Sequence, residues 1–229
     1  MPAVPDYQRA RRPEQKEERR ESILAAAREL AGERAVREIS LGDIARRVGF
    51  SKANVLRYFE SREHVFLQLL LREWDAWTTH AELKLRARRP SAATLANTIA
   101  YTLAERPVFC DLVSEMSAVL ERNVSVATVQ AFKAETLMLV DHLGEVVAER
   151  FPKLARPRAR ETVAAALIMT AGLWPIANPT SRVSAMYSEI PELMRAHVDF
   201  EQRLEQLLKT LITGFLHTST TNHRRTVLS

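Results

Sequence analysis

At 229 residues, with 46% hydrophobic and 27% charged side chains, the chain is long enough for a real core and has the balance of a soluble protein. Six glycines are too few for a glycine-punctuated sheet protein, and a lone cysteine, Cys110, excludes an internal disulfide. The formal charge of +5 is uneven, because residues 1–62 hold 14 Lys and Arg against 10 Asp and Glu while the rest is nearly balanced.

The opening "MPAVPDYQRARRPEQ" lacks the apolar stretch of a secretory leader, and residues 1–13 are expected to form a basic disordered arm. Ile23, Leu24, Ala27, Leu30 and Ala31 then recur at helical spacing, with Gly32 as a stop. Ser40 and Asp43 predict a capping box at the head of a short helix, Leu41 to Val48. Ser51 caps a third helix through about Phe59, and Ser61 a long fourth over residues 62–87. Pro90 punctuates the chain before a helix from Ser91 to about Leu103. Pro107 opens the next, to about Arg122. Residues 126–151 form a long amphipathic helix stopped by Pro152. The apolar run "VAAALIMTAGLWPIA" is short for a bilayer span of roughly 20 residues and is expected as part of a buried helix over 158–177. A loop then leads to a last helix, Glu192 to about His217. No alternating run bounded by turns marks a strand, so the fold class is all-α with about nine helices, and the protein is expected in the cytoplasm.

The segment "DIARRVGFSKANVLRYF" carries the chemistry. Two helices that cross steeply and closely need a small residue on the first and a permissive backbone in the turn. Ala45 and Gly49 meet both needs. On a wheel of about 100° per residue, Val55, Tyr58 and Phe59 fall on one side. Lys52, Ala53, Asn54, Leu56 and Arg57 fall on the other, a narrow and mostly polar face suited to a major groove.

The stretch "ISLGDIARRVGFSKANVLRYFESREHVF" resembles the DNA-binding domain of the TetR family of transcriptional regulators, from about Glu18 to Leu70. The Ser before helix two, the "DIA", the "GFS" turn, the Phe closing helix three and the "SRE" opening helix four carry the likeness. Where the family usually has Gly or a small residue, then Thr, an aliphatic and a Tyr, this sequence reads Ala53, Asn54, Val55 and Leu56, so that Leu56 replaces a common Tyr. The sequence departs again at Arg62, which replaces a Lys and offers a fork suited to phosphate. The resemblance implies a homodimer that binds operator DNA and is released by a small, largely apolar effector. Candidate DNA contacts are Ser40, Ser51, Lys52, Ala53, Asn54, Leu56, Arg57, Tyr58 and Arg62.

The implied organisation is a helix-turn-helix domain over 14–62, a ligand-binding and dimerisation domain over 63–217 and a flexible tail over 218–229. Trp77, Tyr101, Phe109, Met116, Met138 and Met169 are candidates to line an effector pocket, with core filling as the competing role. In the last helix Leu193, His197, Phe200, Leu204, Leu207 and Leu211 repeat at alternating four and three. With Ala165 and Gly172 on the preceding helix they are candidates for a dimer seam, and Leu208 and Phe215 widen the stripe. The six histidines form no i, i+4 pair and there is no cysteine cluster, so no metal or other cofactor is expected. No phosphate-binding loop or nucleophile elbow supports an enzyme. The alternative is a helical small-molecule-binding protein or enzyme without specific DNA binding, which salt dependence separates from a DNA binder.

Overall fold

In the computed structural model, the described residues are 6–179, 183, 185, 186, 189, 190, 192 and 198–226. Among them every regular element is helical. The α-helices are α1 (Asp6–Glu33), α2 (Leu41–Val48), α3 (Lys52–Val55), α4 (Arg62–Ala87), α5 (Ala92–Ala104), α6 (Pro107–Glu115), α7 (Val126–Arg150), α8 (Arg156–Ala177) and α9 (Phe200–Thr226). A 3-10 turn covers Val36–Glu38, and a π segment, closed by an Glu121 N–H to Met116 C=O bond of 3.1 Å, covers Met116–Leu120. Among the described residues no helix is long and apolar enough to cross a membrane.

Four boundaries differ from expectation. Helix α9 begins at Phe200 rather than Glu192, and Asp199 Oδ1 accepts from Gln202 N–H at 2.7 Å as its cap. Helix α1 begins at Asp6 rather than after Pro13, because Arg, Gln, Glu and Lys around the proline are good helix formers. Helix α9 continues through Thr226, where a flexible tail was expected from residue 218, since no Gly or Pro stops it there. Helix α3 is a single regular turn. Beyond Leu56 the chain tightens, with Arg57 N–H on Asn54 C=O (3.2 Å) and Tyr58 N–H on Val55 C=O (2.9 Å) in 3-10 fashion, before Phe59 N–H returns to Val55 C=O at 3.1 Å, four residues back.

The chain forms two compact units. One comprises residues 1–71 and 115–132, and the other residues 72–114 and 133–229. In the first, Ile23, Leu24, Ala27 and Leu30 of α1 pack inward with Val36, Ile39, Ile44, Val55 and Phe59. Each short element there is closed by named polar groups. Ser40 N–H donates to Asp43 Oδ2 (2.9 Å) and Asp43 N–H returns to Ser40 Oγ (3.2 Å), the expected capping box. Gly49 closes α2 at φ +76°, ψ 26°, the left-handed conformation that disfavours a Cβ, and the next N–H, of Phe50, reaches Ala45 C=O at 2.8 Å.

In the second unit the core is aromatic and aliphatic. Trp77, fully buried, stacks on Phe109 at 5.6 Å and donates from Nε1 to Thr102 Oγ1 at 3.1 Å, while Trp74 meets Phe109 edge-on at 5.9 Å. Gly144 of α7 allows the backbone of α8 close approach: a Cβ there would stand 3.0 Å from Arg160 Cα. Helix α9 packs on α5 and α8, turning Phe200, Leu204, Leu208, Ile212 and Phe215 inward.

Candidate nucleic-acid interface

The site is built on α2, the Gly49 turn and α3. Ser51 caps α3 by accepting from Asn54 N–H at 3.1 Å, which sets the direction of that one turn. Val55 and Phe59 are buried and Tyr58 is half-buried, so they anchor the turn from below. Lys52, Ala53 and Arg57 are exposed, Leu56 is 48% exposed and Asn54 is half-buried on the opposite side. The structure thus brings these five candidate side chains together on one outward face.

Lys52 is set by its neighbour on α2. A Cβ on Gly42 would lie 2.7 Å from Lys52 Cε and 3.2 Å from its Nζ, so the bare glycine gives the lysine stem its path beside the first turn of α2. Ser40, whose Oγ lies 3.5 Å from the same point, belongs to this corner. The Lys52 ammonium beside the first turn of α2 suits a phosphate, whereas the Ser40 hydroxyl gives its one proton to Asp43 Oδ2 at 2.8 Å.

Two expected contacts prove different in kind. Arg62 does not present its fork outward. Its Nε and one terminal nitrogen donate to the backbone carbonyls of Ile39 and Val36, its other terminal nitrogen pairs with Glu63 at 3.0 Å, and the guanidinium lies over Phe66 at 5.0 Å. The donors that were expected for phosphate are consumed in closing the 3-10 turn onto α4. Tyr58 is likewise tied down: its hydroxyl accepts from Arg19 at 3.1 Å and its carbonyl from Arg20 at 2.8 Å, while Arg20 also covers the Phe59 ring at 4.5 Å.

Beyond the expected Ser40–Asp43 box, sequence reasoning missed the Arg47 and Glu60 supports. Arg47 of α2 pairs with Glu33 at 2.8 Å and Glu29 at 3.3 Å on α1, which holds Glu33 below the ordinary carboxylate range through that hydrogen bond. Asp43 is held well below its usual range, first by the Ser40 N–H and then by the Ser40 hydroxyl and Arg46. Glu60 accepts from the backbone N–H of Ser125 at 2.8 Å, joining the end of the α3 turn to the cap of α7 within the same unit. The 4-residue spacing of Glu29 and Glu33 marks a paired acidic face, but nothing in the sequence names Arg47 or Ser125 as partners.

The other candidates scatter. Trp77 and Phe109 are fully buried against each other, so they fill core rather than line a space. Tyr101 is half-buried and donates its hydroxyl to Glu105 at 2.6 Å. Met116 lies in the π segment of the first unit, Met138 is 63% exposed on α7 and Met169 is half-buried on α8. Neither of two cavities lined by described residues touches any of the six. The dimer stripe is also divided. Phe200 packs edge-on against Trp174 at 5.0 Å and Leu204 is fully buried, so both belong to their own unit's core, whereas Leu207 is 38% exposed and Leu211 half-buried. An amphipathic helix buries its regular apolar stripe in its own domain first. Gly172 is exposed with open space where a side chain would stand, Ala165 is half-buried, and Leu193 and His197 lie outside the described residues. Among the described residues no group of three or more His, Cys, Asp and Glu is placed to hold a metal ion.

A capped helix, a left-handed glycine turn and a second helix presenting a polar, exposed face define a helix-turn-helix protein. Residues 23–69 match the family model described as bacterial regulatory proteins, tetR family, and residues 71–219 match that of the tetracyclin repressor-like C-terminal domain. The chain belongs to the TetR family, whose fold supports a ligand-responsive, DNA-binding transcriptional regulator. Among curated proteins none matches. A transcriptional regulator from Rhodococcus sp. Rha1 is similar in structure at 18% identity and a TM-score of 0.55, over 87% of this chain and 96% of that one. A TetR-family transcriptional regulator from Mesorhizobium loti MAFF303099 aligns at 14% identity and a TM-score of 0.51, over 89% and 97%. At these identities the likeness is one of fold.

Proposed function

We propose that the protein is a dimeric repressor that binds a palindromic operator through the α3 face and releases it when a small effector binds. The observation that carries this reading is the outward cluster of Lys52, Ala53, Asn54, Leu56 and Arg57 on a turn fixed by two caps and Gly49. Arg57 sits mid-face and forks onto a guanine edge, Leu56 offers contact to a thymine methyl, and Lys52 takes phosphate. The test is selection of DNA fragments by the purified protein, followed by titration of the enriched sequence at rising salt. The expected result is an inverted repeat with half-site centres about one helical turn apart and an affinity that falls steeply with salt. Enrichment of no sequence would remove the operator assignment.

Dimerisation is proposed through the parts of α8 and α9 that stay open. Ile168 is 73% exposed and Ile176 53% exposed, and with Ala165 and Gly172 they recur at helical spacing on α8, while α9 adds Leu207 and Leu211. Such a face is self-complementary in an isologous pair of subunits. Sedimentation of the Ile168→Glu, Leu207→Glu double variant as a monomer, with the parent a dimer, is the expected outcome.

Effector binding is proposed near Trp74, Thr78 and Thr98. Trp74 Nε1, Thr78 Oγ1 and Thr98 Oγ1 are buried with no hydrogen-bond partner among the described residues, whereas buried polar groups are nearly always paired. A largely apolar ligand with a few donors and acceptors completes them. Helix α4 is unbroken from Arg62 past Trp74 and Trp77, so a ligand there tilts it as a lever, and operator and effector weaken each other by one factor.

A further inference from the structure

A separate cavity of about 350 Å³ lies within the second unit, where the α4–α5 and α7–α8 connections meet the C-terminal half of α9. Leu95, Phe151, Leu154, Ile212 and Leu216 make its apolar wall, and Leu95, Leu154 and Ile212 are buried. None of the candidate effector residues named from the sequence touches it. Its volume falls within the roughly 300–1,000 Å³ of small-molecule sites. The charge around it is one-sided. Lys153 is the single ionisable side chain of the lining, it is exposed at the rim, and it forms no ion pair or hydrogen bond among the described residues. Ser91, the other polar lining residue, is already spent: its hydroxyl accepts from Thr94 N–H at 3.0 Å as the cap of α5.

We propose that this cavity is a second ligand site, which takes a small apolar monocarboxylate with its chain against Leu95, Phe151 and Ile212 and its carboxylate at the Lys153 ammonium. The apolar wall favours the hydrocarbon body of any such molecule, and the unpaired lysine selects the acid over neutral or cationic molecules of the same shape. The lining is mostly apolar and the Ser91 hydroxyl is engaged by Thr94, so polyols and sugars are disfavoured. The site does not depend on the DNA-binding reading, and its test involves no DNA.

The test uses the full chain near neutral pH with octanoate, 1-octanol and octylammonium as probes in calorimetric titration. Octanoate is expected to bind at one per subunit, about threefold to fivefold tighter than 1-octanol, the range of a solvent-exposed ion pair, with octylammonium weakest. Lys153→Met, a surface change that leaves the wall intact, removes the preference of octanoate over octanol while octanol affinity holds. Ala92→Trp, from a half-buried lining position, fills the mouth and abolishes binding of both. Equal affinity for octanoate and octanol in the parent, or a preference that survives Lys153→Met, overturns the carboxylate assignment. Octanoate binding unchanged by Ala92→Trp puts the acid elsewhere and overturns the site. Thermal unfolding of each variant shows whether the fold is retained, and Lys153→Met alone decides the carboxylate if Ala92→Trp unfolds.

Discussion

The two units hold themselves together differently. In the first, each short element is closed by a small set of directional bonds: the Ser40–Asp43 box, the Ser51 cap, the Gly49 turn, the Arg62 fork and the Arg47 pairs. In the second, Trp77, Phe109, Leu95, Leu143, Leu204 and Leu208 are fully or almost fully buried, and packing dominates. A directional bond demands one residue type at one position, whereas an apolar core accepts many sequences of suitable volume. A reading head must hold its contacts to a fraction of an ångström, and an effector domain must be able to move. Directional closure serves the first need and adaptable packing the second.

The largest effect expected from this contrast is in the packed unit. Trp77→Ala removes a fully buried ring, its stack on Phe109 and the bond to Thr102, and is expected to cost about 3–5 kcal/mol. Denaturant unfolding followed by residue-resolved hydrogen exchange measures it unit by unit. Losses of this size in the first unit and none in the second would erase the contrast between the two units.

Next come the three cations at the head, which sharpen the comparison by separating reading from scaffolding. Arg57→Ala is expected to cost roughly 1–3 kcal/mol of discrimination at one base pair. Lys52→Ala weakens all sequences alike and lowers the salt slope by about one. Arg62→Lys cannot serve both carbonyls of Val36 and Ile39 and still pair with Glu63. It is therefore expected to lower the head's thermal stability while leaving the salt slope unchanged. A salt slope that drops in Arg62→Lys would return this residue to the phosphate contacts.

These same residues show how far the sequence could be read. The Ser40–Asp43 and Ser51 caps, the Gly49 stop and the inward Val55 and Phe59 were legible because capping and periodicity are local rules, decided within four or five residues. The bonds of Arg62 were not legible because its partners lie 23 and 26 residues back, and a guanidinium's free and bonded states look alike in a sequence. The dimer stripe failed for a related reason. Spacing of four and three in α9 announces a buried face but not the chain that buries it, and Phe200 and Leu204 proved to be internal. The open face had to wait for the exposures of Ile168 and Ile176. Pocket lining was the least legible, since Trp and Met at helical spacing fit core and cavity equally.

A mid-sized effect is expected at the turn itself. Gly49→Ala introduces a Cβ at φ +76°, where an L-residue costs about 1–2 kcal/mol, although no neighbouring atom would be struck. Gly49→Asn is expected to lose less, because Asn tolerates this region. Head unfolding midpoints compare the two, and equal losses would point to something other than backbone strain.

The smallest expected effect tests whether directional bonds in the head titrate as they should. Glu60 is held below the ordinary carboxylate range, first by the Ser125 N–H and then by the hydroxyls of Thr128 and Ser125, with burial opposing them. His64 stands beside it, its Nδ1 accepting from Glu60 N–H at 3.3 Å, and burial lowers its own pKa. A depressed carboxylate stabilises the fold at pH values above its unfolded pKa of about 4.3 and loses that contribution as pH falls through its lower folded value. Because the group is exposed, the contribution is small and screened by solvent. Glu60→Gln keeps an oxygen that can accept from Ser125 but removes the charge, so it should be slightly less stable than the parent near neutral pH. That gap should close as the pH falls below the ordinary carboxylate range, because the parent's carboxyl is then neutral too. Urea unfolding of the head across that range checks the sign: a gap that stays constant or widens in acid would mean that the Glu60 charge does not strengthen the Ser125 bond.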